Sequence, residues 1–397
     1  MLVSGAEAVD WGHRMHRRGV VGELRTDWPE LIAFKRTFTD PIPEKREADF
    51  AKQGIEAFHG TARFTAPDAL TVEGHTLKGR NILIATGARP VPLGLAGAEH
   101  AITSDAFMEL EQLPKRIVMI GGGYIAAEFS HIAARAGAHV TVLQRGARML
   151  PRFDAALVGW LMEKFSEIGI DVRTYNAVTA IERAGQELRV QTQTSRGVAA
   201  VAADLVVHAA GRVPDIAELN LSAGQVEVKD GRLRLNDYLQ SVSNPIVYAA
   251  GDAAAQGPPL TPVSSHDGKV IAANIIEGNR HRPDYRGVPS VAFTLPPIAA
   301  VGLSEAAARE ETPKLRVKSE RVPHWYTARR VGESVYGYKT LVEDDSGRIL
   351  GAHLVGPHAD EVINLFGLAI RHNLTADDLK ATMFGYPTGA SDIGYML

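Results

Sequence analysis

Residues 115–129, KRIVMIGGGYIAAEF, constrain the fold more than any other part of this 397-residue chain. An apolar run with strand character ends in glycines and passes directly into the helical pattern YIAAEFSHIAARAG, after which a second strand, AHVTVLQR, arrives. Strand, glycine turn, helix and strand make a βαβ unit, and Gly121, Gly123 and Ala126 satisfy G-x-G-x-x-A within it. Gly121 permits the tight turn, and Gly123 lets backbone N–H groups approach a pyrophosphate at the helix N-terminus. Small Ala126 allows close helix–strand packing, and Tyr124 and Ile125 fill the intervening cofactor-facing positions. A glycine turn that merely packs is the bland alternative, and the strand–helix–strand setting argues against it.

The end of the second strand bears on which dinucleotide fits. A nucleotide without a 2′-phosphate is usually held there by an acidic residue, but this chain reads Leu143-Gln144-Arg145-Gly146-Ala147-Arg148. Two guanidiniums and no carboxylate favour NADP over NAD, because arginine can fork two hydrogen bonds to a phosphate. Solvated arginine on an exposed loop is the competing reading.

Composition excludes several classes. The chain has no cysteine, which removes disulfides, thiolate nucleophiles and cysteine metal sites. Its 43 basic and 46 acidic residues leave a net charge of −3, so no electrostatic footprint points to nucleic acid or an anionic membrane. The 14 histidines, among them His13/His16, His353/His358 and His281, lack a carboxylate cluster at ligand spacing, so no metal site is expected. No run reaches the ~18 apolar residues of a membrane helix and no basic n-region opens the chain, which leaves a cytoplasmic protein as the default.

The rest of the chain alternates in kind. Up to about Gln53 the pattern is helical, with Leu31, Ile32, Phe34 and Phe38 expected on one side of a helix before the Asp40-Pro41-Ile42-Pro43 interruption. From Ile55 the period shortens towards two, and GIEAFHGTARF, DALTVEG and RNILIATG read as strands. A second helix, DAALVGWLMEKFSEIG, and further strands lead to ADLVVHAAGRVP, then to the strand SNPIVYAAGDAA and the helix TPVSSHDGKVIAANIIEG. From about Val288 antiparallel strands take over, with a hairpin turn at Asp344-Asp345-Ser346-Gly347, followed by helices. Ser264-Ser265-His266-Asp267 has hydrolase letters, but a triad is assembled from separated segments, so it reads as part of a helix start. Thr86-Gly87 and Gly251-Asp252 each close an apolar strand, which is where ligands of open α/β sheets bind.

Taken together, RIVMIGGGYIAAEF, ILIATGARP, VVHAAGRVPD, IVYAAGDAA, LTPVSSHDGKVIAANI and VAFTLPPIAAVGLSE, in that order, resemble the flavin-dependent pyridine nucleotide-disulfide oxidoreductases, such as glutathione reductase, dihydrolipoamide dehydrogenase and mercuric reductase. The resemblance covers nearly the whole chain. It implies an α/β fold with two Rossmann-like dinucleotide-binding domains and a C-terminal α+β interface domain that makes a homodimer. The corresponding segments are 1–112 and 215–287 for the FAD domain, 113–214 for the NAD(P) domain and 288–397 for the interface. It further implies that Asp252 contacts the ribityl or pyrophosphate region of FAD and that Thr261 lies near the flavin ring. Thr86, Gly87, Gly211 and Gly251 belong to the same cofactor-contacting motifs, Tyr124 is the gate over the nicotinamide pocket, and Glu128 lies beside the flavin.

Two departures from the family pattern follow. The family's FAD fingerprint and redox cysteine pair precede a segment like MLVSGAEAVDW, so this chain is expected to start after them, with an incomplete FAD domain that retains flavin poorly. The catalytic histidine of the family's His-Pro-Thr-x-x-Glu is replaced by Tyr386 in Phe384-Gly385-Tyr386-Pro387-Thr388, with Ser391 at the Glu position and Asp392 one residue later. A phenol, with an ordinary pKa of about 10, cannot replace a histidine as a proton shuttle at neutral pH. The expectation is an NADPH- and FAD-dependent oxidoreductase that passes hydride to an unknown small-molecule acceptor without dithiol chemistry. The alternative is a truncated, inactive remnant that binds NADP and dimerises.

Overall fold

The computed structural model describes all 397 residues, Met1–Leu397, and has a mixed α/β architecture. The chain divides into two compact units, one of residues 1–38, 92–210 and 286–397 and the other of residues 39–91 and 211–285.

The first unit is built on a five-stranded parallel sheet, ordered Ala101–Ile102, Leu205–His208, Arg116–Ile120, His139–Leu143 and Asp171–Arg173. Its central strands are buried on both faces, and alternate residues feed two cores. Ile117, Met119, Val140 and Val142 pack with Ala126, Ala127, Phe129 and Ile132 of the Tyr124–Arg135 helix and with Leu157, Leu161 and Phe165 of the Ala155–Glu167 helix. Val118, Ile120, Leu143 and Val206 face the other way, against Ile181, Leu188, Val190 and Ala203 of an antiparallel three-stranded sheet spanning Ala177–Ala184, Glu187–Thr194 and Gly197–Ala203. Asp154 starts the Ala155–Glu167 helix by accepting the N–H groups of Ala156 and Leu157.

The C-terminal part of this unit is an antiparallel sheet ordered Ser290–Ala292, Ile298–Gly302, Ile349–Val355, Gly337–Glu343 and Leu315–Arg321. The Ile349–Val355 strand is buried at every position, and the Ala359–Arg371 helix lays Val362, Ile363, Phe366 and Ala369 on this sheet's core. The expected hairpin turn is present, with Gly347 at φ +70°.

Helices Leu2–Met15 and Trp28–Thr39 also belong to this unit, but the second presents a different face from the one expected. Trp28, Ile32 and Lys35 are buried, whereas Phe34 and Phe38 are each 52% exposed and stack edge-to-face on one another. Polar anchors set the rotation: Trp28 Nε1 donates to the Leu110 carbonyl at 2.7 Å, and the Lys35 ammonium pairs with Glu109. Periodicity alone does not register such anchors.

A buried charge network joins the unit's segments. Asp10, on the first helix, takes both Nε and Nη2 of Arg135 at 3.0 and 2.6 Å and Arg14 Nε at 2.6 Å. Arg135 also engages His131 Nδ1, while Arg14 and Lys164 converge on Glu333 at 3.7 and 3.1 Å.

The second unit contains an antiparallel meander of Arg63–Ala66, Ala69–Val72 and His75–Lys78, with the Ile82–Ile84 strand paired in parallel with Val247–Ala249. Its core gathers Phe64, Ile82, Ile84, Val247, Ala249 and Ala253. The first strand begins only at Arg63; residues 55–60, expected to be extended, are irregular, with Gly54 and Gly60 bracketing them at positive φ. The parallel pair is a two-stranded sheet, and Leu83 on it is 45% exposed. The 17-residue Thr261–Glu277 helix carries the Ser264–Asp267 stretch in its first two turns. No helix of the chain is long and apolar enough to cross a membrane.

Candidate functional site

The glycine turn after Ile120 has the geometry that a dinucleotide needs. Gly121 sits at φ +106°, and a Cβ there would fall 2.4 Å from the Ala209 carbonyl oxygen, so no other residue fits without displacing backbone. Gly123 is the N-cap of the Tyr124–Arg135 helix, and a Cβ there would meet nothing within 4 Å. The helix therefore opens onto free space with its first N–H groups unshielded, a cradle for an anionic pyrophosphate. Ala126 is fully buried against the sheet, and the Ile125 side chain is partly buried in the same core.

Tyr124 and Glu128 lie one turn apart on that helix and both engage the segment around Ser290–Phe293. The Tyr124 ring meets Phe153 edge-to-face at 5.5 Å, and the nearby Ser290 side chain partly offsets the effect of burial on the Tyr124 phenol. Glu128 Oε1 accepts the Phe293 N–H at 2.9 Å. Burial raises both pKa values above the ordinary range, so the Glu128 carboxyl holds a proton more readily than an exposed glutamate.

The loop after the second strand gives its two arginines different tasks. Arg148 is turned onto its own loop, donating Nη1 to the Phe153 carbonyl at 2.7 Å and Nη2 to the Pro151 carbonyl at 3.0 Å. Gln144 Nε2 braces the same loop through the Arg148 carbonyl at 3.1 Å. Arg145 is exposed and makes no ion pair, which leaves it as the guanidinium available to a phosphate. Sequence spacing made the two arginines look equivalent.

In the second unit, Thr86 is exposed just beyond the Ile82–Ile84 strand, Gly87 follows at φ +70°, and Gly211 is exposed at φ +117°. Gly251, at φ +60°, opens the short Gly251–Ala254 helix with Asp252 in its first turn, and Thr261 is the exposed first residue of the long helix. A glycine turn with no room for a side chain, a carboxylate and a helix start are features able to hold part of a dinucleotide. For the adenine half, the chain has no second glycine fingerprint.

At the C-terminus, Tyr386 is 80% exposed and stacks on Tyr326, with ring centroids 6.4 Å apart. Neither neighbouring acid–base candidate is engaged with it. Ser391 Oγ donates to the Thr388 carbonyl at 2.6 Å, and Asp392 accepts the Tyr336 hydroxyl at 2.7 Å. No group of three or more histidine and carboxylate side chains is placed to hold a metal ion. Sequence reasoning missed the brace formed by Arg148, the Ser290 contact to Tyr124 and the position of Asp267 beneath Gly251, because each joins residues whose proximity only folding creates.

Comparison with known proteins shows the family. Residues 25–268 match the family described as pyridine nucleotide-disulphide oxidoreductase, and residues 288–396 match its dimerisation domain. The chain is 35% identical over 366 residues to a glutathione reductase of Burkholderia cepacia, covering 92% of this chain and 80% of that protein. It is 31% identical over 373 residues to a mercuric reductase of Staphylococcus aureus, covering 92% and 68%. The HOCl-induced flavoprotein disulfide reductase RclA of Escherichia coli, solved as the Cu(II) complex of a cysteine-to-serine mutant, superposes with a TM-score of 0.86 at 25% identity over 99% of this chain and 88% of that one. The chain belongs to the pyridine nucleotide-disulphide oxidoreductases, enzymes that use FAD and NAD(P)H.

Proposed function

We propose that this chain binds NADPH in preference to NADH at the Gly121–Ala126 turn and delivers its electrons, through flavin, to a small-molecule acceptor without a dithiol relay. The observation that carries this reading is the open Gly123 helix start together with an unpaired Arg145 at the end of the next strand. Segments 1–112 and 215–287 would hold FAD, 113–214 the nicotinamide dinucleotide and 288–397 the interface of a cytoplasmic homodimer.

When bound, FAD supplies the two-electron carrier between nicotinamide and acceptor. The chain's own residues bind and orient. The first N–H groups of the Tyr124–Arg135 helix would hold the pyrophosphate, Arg145 would hold the 2′-phosphate, and the Tyr124 ring would cover the nicotinamide. Glu128 Oε1 holds the Phe293 backbone in place, and burial raises its pKa, so its other carboxyl oxygen holds a proton more readily than that of an exposed glutamate. Asp252 and Thr261 would hold the flavin. These 397 residues supply no thiol of their own to a disulfide relay.

A second reading, an NADP-binding and dimerising chain without turnover, is favoured by the two-stranded parallel pair with exposed Leu83. The same feature also supports weak flavin retention in the first reading. Anaerobic addition of NADPH to the purified chain supplied with FAD separates the two. Bleaching of the flavin band supports the reductase, and NADPH binding without a flavin band supports the remnant.

A further inference from the structure

We propose that Asp267 is the positioning residue of the flavin site, a buried carboxylate that fixes the Gly251–Asp252 turn against the helix beginning at Thr261. This deepens the flavin assignment made above and rests on it. Asp267 is completely buried, and no cation of the chain is paired with it. Its two oxygens are instead spent on two neutral donors: Oδ2 accepts the Gly251 N–H at 2.9 Å and Oδ1 accepts the Tyr285 hydroxyl at 2.8 Å. A carboxylate taken out of water without a counter-ion is costly unless its hydrogen bonds are well made, so the geometry of these two contacts is strongly enforced.

The contacts join three pieces of chain. Gly251 is held from below by Asp267 and from the side by Ser264, whose Oγ would lie 2.4 Å from a Cβ at that position. Tyr285 lies over Gly257, where a Cβ would come within 2.9 Å of its ring, and meets His266 edge-to-face at 6.1 Å. His266 Nε2 in turn accepts the Asp284 N–H at 3.0 Å. Burial, then the neighbouring Asp267, raises the Tyr285 pKa far above its ordinary value, which keeps its hydroxyl a donor. Residues 251–257, 264–267 and 284–285 thus close on one another, and Asp252 and Thr261, the two expected flavin contacts, are carried at either end of this clamp.

The test uses the full chain with Asp267→Ala, Asp267→Asn and Tyr285→Phe. Flavin fluorescence measures FAD affinity, amide hydrogen exchange at 250–254 is followed without FAD, and NADPH affinity serves as a control for the other unit. Asp267→Ala is expected to weaken FAD by about tenfold and to speed Gly251 amide exchange by about as much, with NADPH affinity unchanged. Asp267→Asn should rescue to within about threefold, because its carbonyl oxygen still accepts the Gly251 N–H while its amide donates to the Tyr285 oxygen. Tyr285→Phe, which keeps the ring packing, should give an increase in exchange of about threefold and decides the matter if the alanine variant does not fold. Exchange and FAD affinity at wild-type values in Asp267→Ala, or unchanged exchange in Tyr285→Phe, would overturn the proposal. If the wild-type chain takes up no FAD, the flavin assignment falls while the exchange measurement still decides the clamp.

Discussion

Replacing Arg145 and Arg148 one at a time tests how the charged loop selects its nucleotide. Arg145 is exposed and unpaired, so on the proposed reading its loss leaves the free protein's own contacts intact and removes one charge-assisted contact to a 2′-phosphate. Such contacts contribute about 1.5–3 kcal/mol, and solvent screening on an exposed loop keeps this one in the lower half of that range. Arg145→Ala should therefore weaken NADPH by roughly 10- to 30-fold and leave NADH within about twofold. Arg148 spends two donors on the carbonyls of Phe153 and Pro151. Its removal loosens the loop that both dinucleotides share, and Arg148→Ala should weaken NADPH and NADH alike, by about fivefold. Titration of each variant with both reduced dinucleotides, followed by quenching of tryptophan fluorescence or by calorimetry, reads the two ratios. An equal loss for both nucleotides in Arg145→Ala, or an NADPH-selective loss in Arg148→Ala, would refute the division of labour.

Other outcomes follow from the same geometry. Gly121→Ala should strain the backbone by about 1–3 kcal/mol at φ +106° before the clash with the Ala209 carbonyl is counted, lowering the urea midpoint of the unit that holds all four tryptophans. Gly123→Ala, at φ −86° with open space ahead, should leave that midpoint unchanged or slightly higher, yet weaken NADPH at least tenfold by filling the pyrophosphate's place. Asp10→Ala would leave Arg135 buried and uncompensated and should cost about 3–5 kcal/mol in the same unfolding assay. Burial, with Arg135 and Lys164 adding to it, holds the His131 pKa well below its ordinary value, so the folded state stays neutral where the unfolded chain takes up a proton. Stability from this group is complete above about pH 6.5, the ordinary unfolded histidine pKa, and falls as pH drops below it. His131→Asn should flatten that dependence, and an unchanged slope in urea titrations at several pH values would exclude His131 as its source.

Local sequence determined the elements whose cause is local. The Arg116–Ile120 strand, the glycine turn and the Tyr124–Arg135 helix are written in apolar period, in residues able to take positive φ, and in a small residue at the packing position. The dinucleotide class followed from that stretch alone, because phosphate binding at a helix start uses backbone N–H groups and needs little more than glycine in the right places. Tertiary structure decided what depends on partners far apart in sequence. Phe34 and Phe38 fall on the apolar stripe, but Trp28 and Lys35 find acceptors at Leu110 and Glu109 and roll that helix so that both rings face solvent. Arg145 and Arg148 look alike as letters, and only the path of the loop brings carbonyls to one and leaves the other free. Asp267, read as one polar residue in a helix start, lies beneath Gly251 because the helix and the turn fold against each other. Periodicity reports which face of an element is apolar; where a single hydrogen-bonding group ends up depends on long-range contacts that no local pattern encodes.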